Sequence, residues 1–172
     1  MGLGRNEVAR AKGGAVMRTI TFKTFARYIH DAAQGYQAAK AQGLEDAARR
    51  MAAHARDYIG EYQTTAVGPF PAWPPLAPST VEDKERQGYA PPDNPLLREG
   101  DLRDSIKHST TRDTAVVGSN SKIAAYQEFG TPTIPPRAFI GRAVAEHGPD
   151  EARRIVAQIL WPLRRTSGGI RR

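Results

Sequence analysis

Tyr126-Gln-Glu-Phe-Gly-Thr-Pro-Thr-Ile-Pro-Pro-Arg-Ala-Phe-Ile-Gly141 stands between the chain's short strand signals and its last helical stretch. Tyr126 and Phe129, three residues apart, suit one face of a helical turn closed by Gly130. Pro132, Pro135 and Pro136 then fix three φ angles and aim Arg137 and Phe139 in set directions. Rigidity outside a helix or strand positions a contact. No nucleophile, base and orienter accompany it, so the contact reads as structural rather than catalytic. Across the turn, Glu128 can pair with Arg137 of the same or a neighbouring subunit. An exposed pair of this kind contributes only about 0–1 kcal/mol and would set register rather than strength.

Working outward, two short strands are expected at Ser105–Thr111 and Thr114–Ser119. Arg112-Asp113 connects them, Ser119-Asn120-Ser121 forms the exit, and Ile123–Phe129 follows as a short helix. Beyond the turn, a last helix begins near Ala138 or at Pro149 and ends at Leu163. Its apolar face is Ile155, Val156, Ile159, Leu160 and Leu163. Pro149 suits a first helical position, with Asp150 and Glu151 behind it. Upstream, residues 64–98 carry so many prolines that regular structure is confined to a helical signal from Ser79, with Trp73 and Leu76 as apolar anchors. This stretch reads either as an ordered loop pinned by Trp73 on its own domain or a neighbour, or as a proline-rich ligand for a groove. Leu96–Ile106 turns at Gly100 into a helical turn or a strand entry.

Residues 1–15 read as an arm, and Val16–Phe22 alternates with period two, as a strand does. A helix over Lys23–Gln42 carries Phe22, Phe25, Ile29, Ala33 and Tyr36 at helical spacing, and Gly43 is its expected stop. A second helix, Leu44–Tyr62, has the clearest stripe: Leu44, Ala47, Ala48, Met51, Ala55, Tyr58, Ile59 and Tyr62, expected to be core. The sum is α+β. A small, mostly antiparallel sheet is packed by N-terminal helices and a C-terminal helix, with a long Pro-rich loop and extended basic termini. One domain covers 16–163, and 164–172 is a basic tail.

The 172 residues carry a net charge of +7, concentrated at the ends. Arg5, Arg10, Lys12, Arg164, Arg165, Arg171 and Arg172 are either solvated tails or arms that meet phosphate or another acidic partner. There is no cysteine, which excludes disulfides and thiolate metal sites. No apolar run approaches the ~20 residues needed to cross a bilayer, and the N-terminus lacks the apolar core of a signal peptide. Asp101 and Asp104, near Glu99, read as salt-bridged to Arg98, Arg103 and Lys107 rather than as a cation site. His30 and His54 have no second ligand at metal spacing. The chain is therefore expected to be no enzyme, with no cofactor and no metal.

Four landmarks occur in order: Trp73-Pro-Pro-Leu-Ala-Pro-Ser-Thr80, Leu97-Arg-Glu-Gly-Asp-Leu-Arg-Asp-Ser-Ile106, Tyr126-Gln-Glu-Phe-Gly130 and Ile134-Pro-Pro-Arg-Ala-Phe-Ile-Gly141. The chain resembles, over roughly residues 16–163, the phage virion-morphogenesis or tail-completion family (Mu G-like proteins) and related lambdoid tail-component proteins. It departs from that pattern at Glu99, in the shortened Tyr126-Gln127-Glu128 element and at Ala138. The resemblance implies a structural virion protein at the head–tail junction, in the tail or neck region, assembled in the bacterial host cytoplasm. Such proteins cap the tail tube as a ring, here a homohexamer, with the tube protein, the head connector or head-closure protein and transiently genomic DNA as partners. The competing expectations are a nucleic-acid-binding module with basic arms and a non-virion tail assembly factor. Trp73, Leu76, Tyr126, Glu128, Phe129, Arg137 and Phe139 are the expected subunit contacts. Loss of Arg137 or Phe139 is then expected to spare the fold and weaken ring assembly.

Overall fold

Thr21 opens the described part of the chain, residues 21–167 of a computed structural model. Its backbone is extended, and its hydroxyl accepts the Thr24 N–H at 3.2 Å. That N-cap satisfies one of the orphan donors of α1, Phe22–Asp57. The expected strand Val16–Phe22 lies mostly outside the described residues. Its last two residues are cap and first turn of a helix instead.

α1 continues for 36 residues, so the expected break at Gly43 does not occur. Gly43 is buried against the last helix, and a Cβ there would stand 2.6 Å from Gln158 Oε1 and 3.4 Å from Ile155 Cγ2. The small residue lets two helices approach closely; it does not end one of them.

The remaining elements are α2 (Pro78–Arg86), α3 (Asp101–Asp104), β1 (Lys107–Thr110), β2 (Ala115–Gly118), α4 (Lys122–Phe129) and α5 (Ile140–Ser167). Together they make a small α+β fold: five helices and one antiparallel two-stranded sheet among the described residues. Lys107 faces Gly118 and Thr110 faces Ala115, and the Thr111 N–H closes the hairpin on the Thr114 carbonyl at 2.8 Å. α5 starts at Ile140, so Pro149 lies inside the helix, where its missing N–H removes one intrahelical bond. The backbone of Arg164 and Arg165 belongs to this helix rather than to a tail. Arg5, Arg10, Lys12, Arg171 and Arg172 lie outside the described residues.

α1 and α5 run antiparallel, as three contacts along them require. Gly43 meets Gln158, Arg50 meets Glu151, and Tyr58 meets Glu146. Arg50 Nε donates to both oxygens of the buried Glu151 at 2.9 Å, and Arg154 donates to Oε1 at 2.9 Å. The Arg50 guanidinium holds the Glu151 carboxyl below its ordinary value. Near the far end, Tyr58 donates its hydroxyl to Glu146 at 2.8 Å, and His54 stacks on His147 with ring centroids 3.7 Å apart. Burial, then the hydrogen bond to Glu146, push Tyr58 up to about 12, and burial lowers His54.

The core joins Ala52, Ala55 and Ile59 of α1 to Trp73, Leu102, Ile106, Ala124, Phe139 and Ala143. The hairpin leans on α1 through Glu45, which accepts from His108 at 3.0 Å and Thr110 at 2.6 Å, and through a Lys40–Asp113 ion pair. Only the C-terminal half of α1 is interior. Phe22, Phe25, Ile29 and Tyr36 form the expected stripe but remain exposed.

Two glycines of α1 test this packing. Gly35→Ala enters open space and should raise the unfolding free energy by about 0.5–1 kcal/mol, the helix-propensity difference. Gly43→Leu should lower it by about 1–3 kcal/mol through overpacking against α5. Urea denaturation measures both, and an unchanged midpoint for Gly43→Leu would contradict the close approach.

Candidate functional site

Gly130 ends α4 with φ +75, a left-handed value that favours glycine. A Cβ there would also press to 3.0 Å on Pro136 and on the Ile134 carbonyl. The turn after it closes on itself through Thr131 N–H to the Ile134 carbonyl at 2.8 Å, and through Ile134 N–H to Thr131 Oγ1 at 3.0 Å. Arg137 N–H then returns to the Gln127 carbonyl at 2.6 Å. The chain thus comes back alongside α4 just before α5 begins.

That return places the start of α5 on the Glu128 carboxylate. Oε2 accepts from Phe139 N–H at 2.9 Å and Ile140 N–H at 3.0 Å, and Oε1 accepts from Gly141 N–H at 2.7 Å. One side chain from α4 satisfies three orphan donors at the positive end of α5. Gly141 is small because a Cβ would meet Glu128 Oε1 at 2.9 Å and the Phe70 ring at 3.0 Å or less. Glu128 therefore does not pair with Arg137; it is a helix cap.

Arg137 points elsewhere. It is buried and donates through one terminal nitrogen to the carbonyls of Pro74 at 3.0 Å and Pro75 at 3.2 Å. Burial lowers its guanidinium below the ordinary arginine value. These bonds pin the Pro-rich segment, whose backbone has few partners of its own. The Trp73 N–H adds a bond to the Gln63 carbonyl at 2.8 Å, and Leu76 N–H one to the Tyr62 hydroxyl at 3.0 Å. Gln63 Nε2 reaches the carbonyls of Phe70 and Pro71 at 2.9 and 2.8 Å.

Trp73, Arg137 and Phe139, expected at a subunit interface, spend their side chains inside their own chain. The prolines do aim them, but inward. The expectation that Phe139 can be lost without cost to the fold is overturned: it is 0% exposed in the core cluster. Leu76 is half-buried, while Tyr126 and Phe129 are exposed at 49% and 81%.

All four sequence landmarks meet around one cleft of about 610 Å³. Leu76 supplies one wall, Leu97 and Leu102 another, Gln127 and Ile134 a third. Lys84 of α2 also lines it, though only 2% exposed, with its Nζ donating to the Asn94 carbonyl at 2.6 Å. Sequence reasoning missed this lysine because it sits in the charged run Glu82–Arg86, which reads as a solvated helix. Among the described residues, no group of three or more histidines or acids could hold a metal ion. No described helix is long and apolar enough to cross a membrane.

Compared with known proteins, the chain matches the model of the phage virion morphogenesis family over residues 68–165, more than half its length. The match begins after α1, later than the expected start at residue 16. No curated protein and no solved structure gives a match.

Glu128→Gln keeps the size of the cap but replaces one of its two accepting oxygens by an NH2 that faces N–H donors. It should cost about 1–3 kcal/mol, as for a buried group left without its partner. Phe139→Ala should cost about 3–5 kcal/mol through lost burial and a cavity. Denaturant unfolding of the purified variants measures both, and wild-type midpoints would contradict the capped, interior arrangement.

Proposed function

The chain belongs to the phage virion morphogenesis family, and from that premise we propose that it acts as a binding-only subunit of a ring at the head–tail junction. Its role is in phage virion assembly. The finer reading is a tail-completion or tail-terminator ring, a homohexamer, that caps the tail tube and joins it to the head connector or head-closure protein. Heterologous contacts that close on themselves produce such rings.

The observation that carries this reading is uncovered apolar surface. α1 extends about 54 Å at the usual helical rise, and its first half exposes Phe22 at 85%, Phe25 at 46%, Tyr28 at 46% and Ile29 at 50%. On α5, Val156, Leu160 and Trp161 are exposed at 53%, 43% and 61%. Surface of this kind on a soluble subunit marks a protein contact. Phe129, at the exposed end of α4, is a second point for a neighbour to hold. The basic ends are the segments that would face genomic DNA in the conduit.

Phe25→Glu with Ile29→Glu should leave the circular dichroism spectrum intact and convert the assembled protein to monomers in native mass spectrometry. Unchanged assembly of that double variant would remove α1 from the interface. Absence of the chain from purified particles would overturn the virion role altogether.

A further inference from the structure

The cleft bordered by α2 and the α4–α5 turn holds two buried cations with no acid paired to either among the described residues. Lys84 is 2% exposed and Arg137 is 5% exposed. The Lys84 ammonium has three protons to donate, and its one bond is to the neutral Asn94 carbonyl. Arg137 bonds two neutral carbonyls through a single nitrogen, and its buried Nε has no partner. Gln127 Oε1, from the same lining, is also buried without a partner. A buried charge is ordinarily matched by an opposite one, because its desolvation is not recovered from neutral dipoles alone. Burial, then the neighbouring Arg98, lower the Lys84 ammonium, against a smaller opposing pull from Asp93.

The walls say what kind of anion. Leu76, Leu97, Leu102, Ile123 and Ile134 supply an apolar part to a lining that is otherwise polar. Glu99 and Asp101 also line the cleft; they oppose any anion, and most of all a phosphodiester backbone, whose charges repeat at every unit. A single carboxylate between apolar side chains fits both features. We propose that the cleft takes an extended peptide segment of a partner protein, with one acidic side chain pairing with Lys84 and Arg137. Apolar neighbours of that acid lie on Leu76, Leu97 and Ile134. The chain's own residues outside the described part are poor occupants: they contain a single acid, Glu7, among Arg5, Arg10, Lys12, Arg18, Arg171 and Arg172. The site adds a partner to the assembly role and does not require that the chain form a ring.

Selection of a random peptide library on the full purified chain tests this. The recovered pool should be enriched in Asp or Glu flanked by apolar residues. In a synthetic copy of a recovered peptide, replacing that acid by its amide should weaken binding about ten-fold or more, as for loss of a charge-assisted bond. Lys84→Met should erase the preference for acid over amide. Should that variant not fold, Ile123→Glu decides: this residue is 59% exposed on the cleft wall, so the change leaves the circular dichroism unchanged and repels the acidic peptide. Failure to recover any peptide, recovery of basic or purely apolar ones, or wild-type binding by Ile123→Glu overturns the proposal. So does displacement of the peptide by duplex DNA at equal concentration.

Discussion

The bond between the Glu128 carboxylate and the first turn of α5 organises the C-terminal half of this protein. Three N–H groups converge on two oxygens at 2.7–3.0 Å. Helix N-termini ordinarily draw their caps from the residue just before them. Here the cap comes from the preceding helix, across a turn that glycine and three prolines hold in one shape. The consequence is geometric. With α5 anchored there, Phe139 enters the core, and Arg137 faces the Pro-rich segment instead of Glu128. That segment is then tied down by side chains, because its prolines leave it few backbone donors. The cleft exists because these pieces are held around it.

Local chemistry was legible in the sequence, and non-local chemistry was not. The hairpin appears with its turn at Arg112-Asp113, flanked by Thr111 and Thr114 as expected, since turn preference and strand alternation act over a few residues. The helical signal after Pro78 and the Gly130 stop were equally readable. Gly43 misled because a glycine that ends a helix and one that admits a neighbouring helix look alike until the neighbour is known. Of the two expected starts of the last helix, Ala138 lies close to the observed one and Pro149 does not. No local pattern could choose between them, because the start depends on a carboxylate twelve residues before Ile140. The rigid turn does aim Arg137 and Phe139, but into the chain's own interior. Whether Trp73, Arg137 and Phe139 face their own core or another subunit is a tertiary fact that no local pattern carries.

The stretch that matches the family, 68–165, is the half organised by Glu128 and containing the cleft, whereas α1 lies before it. This division separates two kinds of surface. The cleft combines two buried cations with apolar and polar walls, the basis for the acidic segment proposed above. The outer half of α1 is a plain apolar helical face, which suits a large and less selective contact such as a neighbouring subunit. The ring subunit proposed above would use both, one surface for its own copies and the other for a different protein.

Amide hydrogen exchange at Phe139, Ile140 and Gly141 in the wild-type protein tests the central claim most directly. First-turn amides without a cap exchange almost as freely as a loop, whereas capped ones open only with the element that holds them. All three should be protected to the same degree as the interior of α5. Exchange as fast as that of the exposed loop residue Asn120 would show that Glu128 does not hold the helix.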